Sequence, residues 1–173
     1  MRSPNFLRLV ITTLASLILT GSAIAADFKS VSPPGAQVVG PYTPGLIAGK
    51  FLYVSGQGAK DAEGKIPQRA AAQVRQTLDA VKRIVEAAGL TLDHLVYSQM
   101  YLADSSAYEE ALAAWNQYFK DGGPARAVVG VARLPAETPV EINAVAVTDR
   151  GLKRVIRLAG AGPGSEPPDA VIA

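Results

Sequence analysis

Arg126 is a charged residue inside a segment that otherwise resembles a short buried strand. The segment, residues 124–135, reads PARAVVGVARLP. Because side chains alternate between the two faces of a strand, Arg126 would share a face with Val128 and Gly130, opposite a row of apolar residues. An arginine that begins such a strand either reaches solvent at the strand's end or binds something. Alternation alone leaves both possibilities open.

Few other residues offer chemistry. The chain has no cysteine, which excludes disulfides, thiolate catalysis and cysteine zinc sites. The single histidine, His94, follows Asp93 in a polar turn, where a solvated surface role is favoured over catalysis. The segment Gly56-Gln-Gly58-Ala-Lys60 suggests a phosphate loop, but it lacks the spacing and the Ser or Thr of a P-loop. The composition therefore excludes thiol chemistry and every cysteine- or histidine-rich metal site.

Residues 1–25 have the pattern of a secretory signal peptide. Arg2 and Arg8 precede the apolar run LVITTLASLILTG, and Ala-Ile-Ala at 23–25 is a small-x-small cleavage site. The apolar run is short and interrupted by threonine and serine, so an uncleaved membrane anchor is the less favoured alternative. Cleavage would lower the basic count from 17 to 15, against 15 acidic residues, which predicts no nucleic-acid surface. We predict a periplasmic or secreted protein with no membrane association after cleavage.

The mature chain divides into an arm, one domain and a tail. Residues 26–36 are polar and contain prolines, which predicts an extended N-terminal arm, and residues 37–149 carry the periodic apolar patterns of a single domain. Residues 150–173 begin with RGLKRVIRL, which is compatible with an extra edge strand whose basic residues face solvent. The Gly/Pro-rich remainder predicts a flexible tail.

Within the domain, the apolar patterns predict the element order ββ-α-β-α-ββ. Two apolar runs around an Ala48-Gly49-Lys50 turn predict a hairpin, and alternation predicts strands at 95–102, in PARAVVGVARLP and at 139–147. An apolar stripe at helical spacing predicts a helix over 68–88, ended by Gly89.

A second helix is predicted to begin at a Ser106–Glu109 capping box. Its aromatic stripe, which includes Tyr108, Trp115 and Phe119, is interpreted as core because the helical spacing needs no cofactor to explain it. Strands crossed by two helices predict an α+β fold with one sheet and both helices on one face. The other face stays apolar, which predicts a homo-oligomer.

Four segments together resemble the Rid/YjgF family of imine deaminases, also called the L-PSP endoribonuclease family. They read GPYTPGLIAGKFLYVSGQ, EAAGLTLDHLVYSQMYLAD, PARAVVGVARLP and VEINAVAV, and they span about Val39 to Val147. The resemblance implies a chorismate-mutase-like α+β subunit that forms a homotrimer with ligand sites between subunits. It also implies hydrolysis of small 2-imino or enamine acids to 2-oxo acids and ammonia, with no metal or cofactor.

The resemblance also implies roles for individual residues. Arg126 is similar to the arginine that binds the substrate carboxylate, which a planar guanidinium holds through two parallel hydrogen bonds. Glu141, expected as its partner on the next strand, stands where the family has the acid that positions water or relays a proton. Substrate binding would further involve Tyr42, the loop residues Ser55 and Gly56, and Val128. Ordinary packing of Tyr42 and a turn requirement at Ser55-Gly56 are the alternatives.

Val128 departs from the family pattern, in which a cysteine often follows the arginine by two positions. The valine makes the pocket more apolar and removes no group that hydrolysis needs.

Export is also unusual for a family of cytoplasmic metabolite-repair proteins. The main alternative function is a periplasmic trimer that binds small carboxylates without catalysis. The ribonuclease activity of some relatives is poorly supported by a near-neutral chain with one histidine.

Overall fold

A computed structural model describes residues 28–36, 40–120 and 122–156. The predicted signal peptide, residues 1–25, and residues 157–173 of the predicted tail lie outside the described residues. Within the described ranges, no helix is both long enough and apolar enough to cross a membrane.

The described residues form one six-stranded sheet and two α-helices. Along the chain these are β1 (Phe28–Val31), β2 (Gly45–Ala48), β3 (Phe51–Gly58), α1 (Ala70–Ala87), β4 (Leu95–Leu102), α2 (Tyr108–Tyr118), β5 (Ala125–Gly130) and β6 (Val140–Val147). The strand order is β1-β2-β3-β6-β4-β5, and all neighbours are antiparallel except β4 and β5, which are parallel. A parallel pair needs a crossover connection, and α2 supplies it. The predicted α+β class is confirmed.

Helix α1 packs on β3 and β6 with the apolar stripe that the sequence predicts. Val74, Leu78, Val81 and Val85 have no solvent exposure, because steps of three and four residues place them in one line along the helix. Burial of each such side chain contributes roughly 1.5–3 kcal/mol. Gly89 follows the helix with a left-handed φ of 78°, which confirms the predicted glycine stop.

The predicted capping box before α2 is wrong. A carboxylate oxygen of Asp104 accepts the backbone N–H of Ser106 at 2.9 Å, and Ser105–Ala107 form a turn of 3-10 helix ahead of α2. Within the described part of the chain, no side chain caps α2 itself, which begins at Tyr108. Aspartate is as good an N-cap as serine, and here it starts the tighter turn two residues before Ser106.

Both ends of the domain differ from the predicted organisation. Part of the predicted arm forms β1, which pairs with β2 and has only Val31 buried. At the other end, the predicted extra edge strand is not formed over residues 150–156. Arg150–Leu152 are a 3-10 turn, because a carboxylate oxygen of Asp149 accepts the Gly151 N–H and caps the turn.

The two faces of the sheet differ in what covers them. The face against α1 and α2, called the helix face below, contains Leu52, Met100 and Ile142, all almost fully buried. The opposite face, called the helix-free face, presents side chains that are 38–48% exposed, namely Phe51, Tyr53, Tyr97 and Val129. The predicted alternation along the strands produces this division. An open apolar surface of this kind is typical of a protein–protein interface.

Candidate active site

Glu141 lies on the helix-free face of β6, beside Tyr101 of β4. Its side chain extends over Gly56: a Cβ atom added to that glycine would fall 2.7 Å from Cδ of Glu141 and 3.1 Å from its Cγ. Burial raises the pKa of the Glu141 carboxyl above its ordinary value, because a charge is less stable away from water. The missing side chain at Gly56 therefore provides the space that Glu141 occupies.

Ser55 stands at an irregularity in β3. The register of β3 against β6 shifts between Val54 and Gln57, so the backbone between them leaves regular pairing. The Ser55 hydroxyl donates to the carbonyl of Thr43, and its backbone N–H donates to the carbonyl of Pro44 at 2.9 Å. Ser55 thus fastens the segment before β2 to β3. Its hydroxyl proton serves this connection, while the hydroxyl oxygen keeps the capacity to accept a hydrogen bond.

Arg126 lies on the helix face of β5, beside Ser98 of β4. Its guanidinium carbon is 4.9 Å from the centre of the Trp115 ring, within the range of a cation–π contact. Its Nη1 atom is buried and has no hydrogen-bond partner among the described residues. Burial lowers the pKa of Arg126, and Tyr108 opposes that shift. Arg126 is therefore a partly desolvated cation with an unused donor, not simply a solvated residue at a strand's end.

Val128 lies on the same face of β5 as Arg126, two residues further along the strand. It is opposite Met100 of β4 and packs partly buried against the core. Val128 therefore presents an apolar side chain beside Arg126 on the helix face of β5.

Arg126 and Glu141 do not meet within one subunit. Strand β4 lies between β5 and β6, and Tyr101 of β4 is opposite both Glu141 and Val129. Arg126 is three residues from Val129, which corresponds to about 10 Å along the strand, and it points to the opposite face from Glu141. Within a single subunit the two residues are therefore separated, because β6 follows β5 in sequence but not in the sheet.

Tyr42 directly precedes the segment that Ser55 holds against β3. It is 49% exposed, and it lines a cleft of about 810 Å³ together with Gln57, Lys60 and Arg83. Neither Arg126 nor Glu141 lines this cleft. The structure therefore brings Gly56 to Glu141 and Val128 to Arg126, and it joins the segment that follows Tyr42 to Ser55, because the carbonyl of Thr43 accepts the Ser55 hydroxyl.

Trp115 is a candidate that sequence reasoning missed. The sequence predicts it as core, and its 5% exposure agrees, but one side of its ring also contacts the Arg126 guanidinium. Helical spacing gives the face of α2 on which Trp115 lies. It does not give the packing of α2 against β5, which brings the two groups together.

The subunit belongs to the α+β class. It has a mixed sheet with two helices on one face, an open apolar surface on the other and a partly buried arginine on an edge strand. The chain belongs to the Endoribonuclease L-PSP family, whose sequence profile matches residues 34–148. This match confirms the resemblance to the Rid/YjgF family.

Individual relatives agree with this assignment. The chain is 39% identical over 113 residues to 2-iminobutanoate/2-iminopropanoate deaminase of Escherichia coli (strain K12), a match that covers 63% of this chain and 88% of that protein. The structure resembles the crystal structure of the YjgF gene product from E. coli, with a TM-score of 0.66, 36% identity and coverage of 70% of this chain and 99% of the other. It also resembles E. coli TdcF with bound serine, with a TM-score of 0.65, 33% identity and the same 70% and 99% coverage.

Proposed function

We propose that this protein hydrolyses small 2-imino acids, or the enamines from which they form, to 2-oxo acids and ammonia. The observation that carries the proposal is the buried Nη1 of Arg126, which lacks a hydrogen-bond partner among the described residues. A desolvated charged donor without a partner is costly. A substrate carboxylate can satisfy it, because a carboxylate and a guanidinium form two parallel charge-assisted hydrogen bonds.

Glu141 is proposed to hold the attacking water. Its carboxylate accepts a hydrogen bond from water, and its burial raises its pKa, which makes it a better proton acceptor when it is ionised. Water adds to the imine carbon, a proton reaches the nitrogen, and the C–N bond breaks to release ammonia and leave the 2-oxo acid. Positioning supplies much of the modest acceleration that such a reactive substrate needs.

The proposed site forms between subunits of a homotrimer. Arg126 and Glu141 lie on opposite faces of one sheet, so one small substrate cannot bridge them within a subunit. Strand β5 is an edge strand, which allows it to approach another copy. The exposed aromatic residues of the helix-free face, Phe51, Tyr53 and Tyr97, support its burial by such a copy.

The proposed location is the periplasm or the exterior, on the basis of the signal-peptide pattern in residues 1–25. The substrate would then be an imino acid that is produced or released outside the cytoplasm.

The experiment uses the full chain. An amino-acid oxidase generates the 2-imino acid, and its decay is measured with wild type, Arg126→Ala and Arg133→Ala. Loss of two charge-assisted hydrogen bonds predicts that Arg126→Ala lowers kcat/KM roughly 100- to 10,000-fold. Arg133 is the matched control, because it is an exposed arginine that pairs with Glu137, its Nε lying 2.8 Å from Oε1. We expect its removal to leave the rate unchanged.

Equal imine decay with wild type and Arg126→Ala would refute the mechanism. Calorimetric binding of 2-oxobutanoate that depends on Arg126, without turnover by the wild type, would instead select the non-catalytic binding function. Light scattering that gives the mass of a monomer at assay concentration would refute the intersubunit site.

A further inference from the structure

The Arg126 guanidinium lies against a stack of aromatic rings. Its central carbon is 4.9 Å from the Trp115 ring centre. The Trp115 and Phe119 ring centres are in turn 4.5 Å apart, with an interplanar angle of 34°. Trp115 is 5% exposed, so its ring has little freedom to change orientation inside a close-packed core.

The loop that leads into β5 supports this stack. A Cβ atom added to Gly123 would fall 3.0 Å from Cβ of Phe119, so the glycine lets the backbone approach the ring closely. Phe119 supports Trp115, and the two rings occupy the α2 side of β5. Gly123 therefore lies in close contact with the Phe119 end of the aromatic stack.

Polar groups near Arg126 do not account for its orientation. The Ser98 hydroxyl, on the neighbouring strand position, donates to the carbonyl of Asn143 at 2.9 Å. Among the described residues, no carboxylate lies within salt-bridge distance of Arg126. The Trp115 ring is therefore the contact of the guanidinium that has a defined geometry and a favourable electrostatic interaction.

We propose that Trp115 is a positioning residue for Arg126, holding the guanidinium plane so that its unpaired Nη1 donor is directed at the substrate carboxylate. This inference rests on the proposed function, since it identifies the residue that orients Arg126, the proposed carboxylate-binding residue. Trp115 itself does not touch the substrate. A long side chain with several rotatable bonds loses conformational entropy when it binds a ligand. Contact with the Trp115 ring restricts Arg126 before the ligand binds, so less entropy is lost on binding.

Ligand binding at Arg126 should change the fluorescence of the neighbouring Trp115. Trp115 is the only tryptophan in the chain. A carboxylate that binds Arg126 neutralises a charge close to the indole ring and should change its emission. Titration of the full-length wild type with 2-oxobutanoate is expected to give a saturable change in tryptophan emission. The same titration with butanone, which lacks the carboxylate, is expected to give none.

Two substitutions test the positioning role. Trp115→Leu removes the aromatic face, and we expect KM for the imino acid and Kd for 2-oxobutanoate to rise about 3- to 30-fold, with kcat changed less. Trp115→Phe restores a weaker aromatic face and should fall between wild type and the leucine variant. In an Arg126→Ala background, Trp115→Phe should have no further effect on Kd, because the two residues act through one interaction.

Val81→Ala is the control for lost packing, because Val81 is fully buried on α1, which packs on β3 and β6. It should lower the unfolding midpoint and leave KM unchanged. If Trp115→Leu does not fold, Trp115→Phe and the wild-type emission titration carry the test. Wild-type KM and Kd in Trp115→Phe, or an emission change that persists in Arg126→Ala, would overturn the inference.

Different results would refute the deaminase function and the positioning role of Trp115. Arg126-dependent emission and binding without imine turnover would refute the deaminase and leave the role of Trp115 standing. Turnover that needs Arg126 but is insensitive to both Trp115 substitutions would refute the positioning role and leave the deaminase standing.

Discussion

Replacement of Gly56 with alanine is expected to displace Glu141 and to reduce activity without unfolding the protein. The new Cβ atom would lie 2.7 Å from Cδ of Glu141 and 3.1 Å from Cγ, below the 3.4 Å at which ordinary contact begins. The backbone at Gly56 accepts alanine, because its φ is not in the left-handed region. The group that must move is the end of the flexible Glu141 side chain, so the cost in folding free energy is small.

The loss of activity can be estimated from this displacement. Cδ of Glu141 must move by about 0.7 Å to regain ordinary contact distance, and its oxygens, at the end of the side chain, move by about 1 Å. A misplacement of about 1 Å at a catalytic group costs on the order of 100-fold in rate, or about 2.7 kcal/mol in transition-state free energy. We expect the fall mainly in kcat, because the proposed mechanism assigns the substrate carboxylate to Arg126 and not to Glu141.

The assay compares kcat and KM for imine decay among wild type, Gly56→Ala, Glu141→Gln and the double variant. Gly130→Ala is the matched control, since a Cβ atom there would lie 3.6 Å from Cβ of Ser105, an ordinary contact. The double variant should resemble the more damaging single variant, because both changes act through one carboxylate. Wild-type kcat in a folded Gly56→Ala protein, or multiplied losses in the double variant, would refute the reasoning.

Three further predictions concern charge and backbone strain. Arg126→Lys keeps the charge but loses the planar, bidentate geometry; we expect KM to rise roughly tenfold in initial-rate measurements, and an unchanged KM would contradict the bidentate anchor. Burial raises the pKa of the Glu141 carboxyl above its ordinary value of 4.5. The folded state therefore binds the carboxyl proton more tightly than the unfolded chain does. The stability that comes from this tighter binding is lost as the pH rises above about 4.5 through the folded pKa. The unfolding free energy of Glu141→Gln, measured with urea, should therefore increase relative to that of the wild type as the pH rises from about 4 to about 7. A difference in unfolding free energy that does not depend on pH would contradict burial as the cause. Ala136 has a φ of 55°, a left-handed conformation that costs about 1–2 kcal/mol without glycine, so Ala136→Gly should stabilise the protein by about 0.5–1 kcal/mol after the entropy of the unfolded glycine is subtracted. The midpoint of urea unfolding measures this gain. A midpoint below that of the wild type would contradict the assignment of backbone strain to Ala136.

The inner elements can be predicted because burial imposes a period on the sequence. Strand β4 runs from Leu95 to Leu102, the predicted limits, since alternate side chains such as Met100 must enter the core. Strand β1 carries no such period. Three of its four residues are exposed, and its pairing with β2 uses backbone groups that every sequence provides.

The candidate site can be predicted only in part for the same reason. Alternation assigns each side chain to a face of its own strand, but it does not order the strands. The insertion of β4 between β5 and β6 separates Arg126 from Glu141, although their strands follow one another along the chain. Their residue types are readable from sequence, whereas their separation arises from the tertiary crossover of α2.

Burial acts on the two charged residues in complementary ways. It lowers the pKa of Arg126, which means that the cation is held where water stabilises it poorly, and it raises the pKa of Glu141. Each effect is unfavourable for the isolated subunit. An anionic substrate would offset the first by pairing with the guanidinium, and a bound water would hydrogen-bond to the second. Because the residues lie on opposite faces, one substrate can use both only where the edge strand β5 of one copy meets the helix-free face of another. The same exposed apolar face that leaves the subunit incomplete would, in the proposed trimer, complete the site.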